Sequence, residues 1–181
     1  MFSAGILLIL SFVALFAGAS MYWLRGGLRG GAPPSKRYFV WERTFIIAAV
    51  VLTAVGLALL EGDMQSADGR ALARAGAVTY FFGGILVVVA EAVSVGQFLD
   101  GDRSQQVWPL EFAYVVLAFL AQAAVGGALL QAGVVAGWIA WATVIWNIAL
   151  LLVMLIRRGD IYIPFLHHLM PLLIGIALVT A

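Results

Sequence analysis

The chain has no cysteine. That absence excludes disulfides, thiolate metal sites and cysteine nucleophiles, and it leaves the redox state of the compartment unread. Charge is scarce too: 10% of the 181 residues are charged, against about 25% in a soluble domain. Lysine occurs once, at Lys36 in a loop, so no helix lysine is present to hold retinal as a Schiff base. Histidine occurs only as the pair His167 and His168. HExxH is absent, which removes the usual zinc-protease arrangement. GxSxG is absent, and no aspartate lies inside an apolar run to complete a serine triad. The GGLRGG stretch lacks the GK[ST] ending and the preceding strand of a phosphate loop, and Asp63 and Asp68 fit no calcium-loop spacing. The net charge of +1 points to no nucleic-acid partner.

What remains is apolar. Hydrophobic residues make up 64% of the chain, and the mean hydropathy is +1.07. A soluble core of this size could not hide so much apolar surface, so the solvent must be lipid. The sequence predicts an all-α integral membrane bundle of six transmembrane helices in one domain. The spans are about 2–24, 44–60, 75–99, 109–131, 134–156 and 161–181, and the second could reach back to Tyr38. The loops are short except for the basic, glycine-rich first loop. No basic residue precedes Arg25, so the first span is expected to be a retained helix and not a cleaved signal peptide. Ala14 and Gly18 form a small-xxx-small pair suited to a close helix neighbour, and Gly133 and Gly137 a GxxxG spacing. The loop from Glu61 to Arg74 suits a short surface helix.

Basic residues are unevenly distributed. Loops 1, 3 and 5 carry Arg25, Arg29, Lys36, Arg37, Arg43, Arg103, Arg157 and Arg158; the opposite side carries Arg70 and Arg74. This bias predicts a multi-pass protein of the cell membrane with both termini on the non-cytoplasmic side.

Within the spans, ionisable and amide side chains are few and costly, which marks them as candidate functional groups. Counted from the span ends at about 1.5 Å per residue, Glu91 lies roughly 12 Å in, Asn147 and Thr53 roughly 14 Å, and His167 and His168 roughly 9–11 Å. The expectation is one polar layer drawn from four helices, in which Glu91 meets one of the two histidines. Ser94 and Thr143, one turn from Glu91 and Asn147, extend the same polar faces. Pro171 lacks an N–H and so frees the carbonyl of His167 beside them. Gln122, and the tryptophans of the fifth span, read as packing and interface residues.

The first functional expectation is proton-coupled binding or transport of a small solute through Glu91, His167, His168 and Asn147. Two other classes fit the same residues: an accessory or pigment-binding subunit of a larger membrane complex, and a membrane enzyme using acid–base chemistry on a lipid-like substrate. No cofactor or metal is specified. Adjacent histidines cannot grip one haem iron from opposite faces, although a single-histidine haem or chlorophyll site is compatible with the sequence. The lipid bilayer is the one partner the composition demands. A homo-oligomer or a larger complex is compatible with it.

Overall fold

A computed structural model describes residues 1–24, 34–101, 106–157 and 164–180. These residues form six helices, α1 (Phe2–Leu24), α2 (Lys36–Asp63), α3 (Ala67–Asp100), α4 (Trp108–Ala132), α5 (Gly137–Ile156) and α6 (Pro164–Thr180). Five of them are long and apolar enough to cross a bilayer, and α6 is a shorter apolar helix. The protein is therefore an all-helical membrane bundle. Arg25, Arg29, Arg103 and Arg158, which enter the charge argument, and positions 161–163 and 181 of the sixth span lie outside the described residues.

Local chemistry accounts for the helix ends. Ser35 caps α2 by accepting from the Tyr38 N–H, and Ser66 caps α3 by accepting from the Gly69 N–H. Pro109 sits in the first turn of α4, where its missing N–H has no intrahelical partner to lose. Gly101 and Gly133 end α3 and α4 in the left-handed region, at φ 74° and 62°, which a residue without a β-carbon adopts without strain.

Two helices are longer than the hydropathy alone suggests. α2 begins at Lys36, and Lys36 Nζ donates to the Leu99 carbonyl at the other end of α3. α3 begins at Ala67, so the expected surface helix is continuous with the third span.

Each helix packs on its neighbours in sequence, and α1 also packs on α6, which closes a ring. Small residues make the closest approaches. A β-carbon at Gly5 on α1 would meet the Gly175 carbonyl oxygen of α6 at 2.8 Å, and one at Gly76 on α3 would meet the Ala121 carbonyl oxygen of α4 at 2.7 Å. Gly18 seats against Glu42 and Ile46 of α2, as its small-xxx-small pairing with Ala14 predicts. Gly133 and Gly137 do not act in this way: nothing lies within 4 Å of a β-carbon at either position.

These contacts set the register that positions the polar groups. Arg43, Val50 and Glu61 of α2 lie across from Glu91, Gly84 and Arg74 of α3 in antiparallel order. On the next interface Gly83 lies against Tyr114 and Leu117, and Gly76 against Ala121 and Val125. On the next, Gly126 of α4 lies against Ala140 and Val144 of α5.

Candidate functional site

Polar groups in the bundle fall at three levels. At the first, Arg43 Nη1 reaches both carboxylate oxygens of Glu91, at 3.2 and 3.0 Å. Arg43 Nη2 also lies 3.4 Å from Glu42, and the guanidinium carbon stands 4.9 Å over the Phe39 ring. At the third level, Arg74 is paired with Glu61 at 2.9 Å, and Arg70 donates to the Met64 carbonyl. Arg43 and Glu61 are eighteen residues apart on α2, about 27 Å of helix rise. A bilayer's hydrocarbon core is about 30 Å thick. The two α2–α3 ion pairs thus stand at the two edges of the apolar slab. Exposed tryptophans agree with this placement: Trp41 and Trp108 lie at the Glu91 edge, and Trp138 starts α5 at the other.

The second level lies midway. His167 and His168 of α6 are both buried. His167 Nε2 is within 3.3 Å of the Tyr80 hydroxyl, 3.2 Å of the Tyr114 hydroxyl and 3.1 Å of Gln122 Nε2. The two tyrosine hydroxyls are 3.2 Å apart. His168 Nδ1 is 3.4 Å from Thr53 Oγ1, which donates to the Ala49 carbonyl. One network of hydroxyl, amide and imidazole groups therefore joins α2, α3, α4 and α6. Thr53 is ten residues from Arg43 and eight from Glu61 along α2, about 15 and 12 Å from the two edges.

The sequence-predicted residues separate accordingly. His167, His168 and Thr53 come together as expected. Asn147 is buried on α5, donates to the Thr143 carbonyl, and lies at the histidine level: Trp146, beside it, donates from Nε1 to the Leu166 carbonyl, beside His167. Thr143 is buried and donates to the Ile139 carbonyl. Pro171 lies inside α6, where it removes the helical donor of the His167 carbonyl.

Glu91 is placed differently. Its carboxylate meets Arg43 and neither imidazole, and it lies eleven residues along α3 from Tyr80, about 16 Å. The depth count measured it from Leu99 as though the membrane ended there. α3 instead overshoots: the register that sets Gly83 against Tyr114 carries Glu91 to the first turn of α4, at Val107 and Trp108. Ser94 lies farther out, partly buried.

Four residues of these sites were not assigned to them from the sequence. Arg43 counts there only as a topology charge, and Gln122 only as packing. Tyr80 stands near the expected start of a span, and Tyr114 goes unremarked. The available signal was the phenol itself: a hydroxyl inside an apolar run needs a partner.

The bonding pattern restricts the chemistry. The Gln122 amide nitrogen facing the ring is a donor, an arrangement that suits the tautomer with the lone pair on His167 Nε2 and the proton on Nδ1. His167 Nδ1, Gln122 Oε1 and Asn147 Oδ1 are buried with no hydrogen-bond partner among the described residues. Nor do three His, Asp or Glu side chains cluster among those residues as a metal would require. Comparisons with known protein families, curated proteins and solved structures found no match.

Proposed function

We propose that this membrane protein binds a small polar solute or a proton at its centre, and that the site serves proton-coupled binding or transport. His167 is the central group, with Gln122, Asn147, Tyr80 and Tyr114 around it and His168 and Thr53 extending the network toward α2. The observation that carries this reading is the pair of buried, unsatisfied groups on His167 and Gln122, at mid-depth in a bundle whose charges are held at the edges. A purely structural network is expected to satisfy its members, because an unpaired buried polar group costs about 1–3 kcal/mol. Glu91 belongs in this reading to the entrance and not to the centre, through its pair with Arg43. The basic bias of the loops assigns that entrance to the cytoplasmic face.

Proton movement offers a direct test. The protein is reconstituted into liposomes containing a trapped pH dye, and a pH gradient is imposed. Wild-type protein should dissipate the gradient faster than protein-free liposomes. His167→Gln should return the rate to the protein-free level, and Glu91→Gln should keep more than half of it. Identical rates with and without wild-type protein would remove the proton-coupled reading.

A further inference from the structure

The seams of the helix ring are not built alike. Five of them hold a glycine at a close approach: Gly5 between α1 and α6, Gly18 between α1 and α2, Gly84 between α2 and α3, Gly76 between α3 and α4, and Gly126 between α4 and α5. Small residues of this kind let neighbouring helices pack tightly. The sixth seam, between α5 and α6, has no such contact among the described residues, and α6 packs far more extensively on α1 than on α5.

A side chain bridges α5 to α6 instead. Trp146 Nε1 donates to the Leu166 carbonyl at 2.8 Å. Trp146 and Leu166 are half-buried, and each is followed in the chain by a fully buried polar residue, Asn147 and His167. Ile145, just before Trp146, is 62% exposed, and at this mid-depth its surroundings are hydrocarbon. The indole therefore stands between the bilayer and the polar centre. On α6, Pro171 removes the helical donor of the His167 carbonyl, so the backbone beside this seam is held by one hydrogen bond fewer. A seam bridged by a side-chain tip opens when that side chain changes rotamer, whereas a glycine seam opens only when two backbones part.

We propose that the α5–α6 seam is a lateral doorway from the bilayer to the centre, with the Trp146 indole as its shutter. This rests on the proposed function, which puts the receiving site at His167, and it specifies the solute: an uncharged molecule that dissolves in hydrocarbon and carries a polar group. An ion cannot take this route, because leaving water without a counter-charge is far more costly than for a neutral polar group. Opening breaks the Trp146–Leu166 bond and leaves the five glycine seams and both edge ion pairs in place. Proton and solute then use different doors, the proton entering at the Glu91 edge.

The probe is a diazirine-bearing hexanol dissolved in liposomes that hold the full protein, activated by light and mapped by mass spectrometry. Label should reach the buried Asn147 or His167 as well as the lipid-facing side chains of α5. Trp146→Phe keeps an aromatic ring and removes the N–H. It should raise labelling of the buried pair roughly threefold relative to Ile145, the scale on which losing one interhelical hydrogen bond shifts an equilibrium. Label confined to lipid-facing residues in both proteins, or no rise in the variant, would overturn the doorway. Should Trp146→Phe fail to fold, spin labels report the opening with Trp146 intact, and the chain has no native cysteine to remove. Ile145→Cys with Ile176→Cys, across the doorway, should give a broader distance distribution than Ile6→Cys with Ile176→Cys, across the α1–α6 seam; all three positions are exposed. Equal widths would overturn the proposal. The liposome proton assay separates the two claims: flux without label on the buried pair leaves the function standing and removes the doorway, and label that rises in Trp146→Phe without flux does the reverse.

Discussion

The edges of the bundle and its centre solve the same problem with different chemistry. At the edges, arginine and glutamate pair across α2 and α3, where headgroups and water can solvate what the pair leaves exposed. At the centre, imidazole, phenol, amide and hydroxyl groups bond to one another with no carboxylate or guanidinium among them. The difference follows from solvation: an ion is most costly where it is farthest from water, and a neutral donor–acceptor pair is much less so. The two edges also differ from each other. The Arg43–Glu91 pair is largely enclosed, with 19% and 5% of the side chains exposed, whereas Arg74 is 68% exposed.

Substitutions that grade these regions against one another should show that order. Arg43→Ala is expected to have the largest effect, because it strips a buried carboxylate of its counter-charge; a loss of about 3–5 kcal/mol is expected in reversible unfolding from mixed micelles. Adding Glu91→Gln should recover at least half of it, and no recovery would mean that the two side chains are not energetically coupled. The central hydroxyls come next. Tyr80→Phe and Tyr114→Phe should each cost about 1–2 kcal/mol, and the double variant should cost less than the sum because the two share His167. Strict additivity in that cycle would show that the network is only a drawing of distances. Thr53→Val removes the hydroxyl beside His168 and should cost about 0.6–1 kcal/mol, the ordinary scale of an interhelical hydrogen bond in a membrane. Arg74→Ala should be the mildest, below about 0.5 kcal/mol at moderate salt, as for other exposed ion pairs. A larger loss for Arg74→Ala than for Arg43→Ala would invert the comparison between the two edges.

Much of this was legible in the residues, and the exceptions share one cause. Six apolar runs with turn chemistry between them dictate six helices, and Gly18 makes the close approach that its spacing from Ala14 suggests, whereas Gly133 ends α4 and seats no neighbour. The reckoning of depth puts Thr53 and Asn147 at one level, and both lie at the level of the histidines. It failed for Glu91 because α3 continues as a helix past that edge, which hydropathy does not register. The histidines lie deeper than counted, since Leu166 sits beside Trp146, ten residues before the end of α5. The partners of His167 were hidden for another reason: a tyrosine hydroxyl and a glutamine amide gain meaning only once the register between α3 and α4 is known.

The two ion pairs joining α2 to α3 have opposite polarity, with arginine on α2 at one edge and on α3 at the other. A slip of one helix past the other would part both couples at once, so the hairpin acts as a ruler of fixed length. That length, about 27 Å between the marks, matches the thinner biological bilayers. In a thicker host the lipid must thin around the hairpin, or the whole ring must lean as one body.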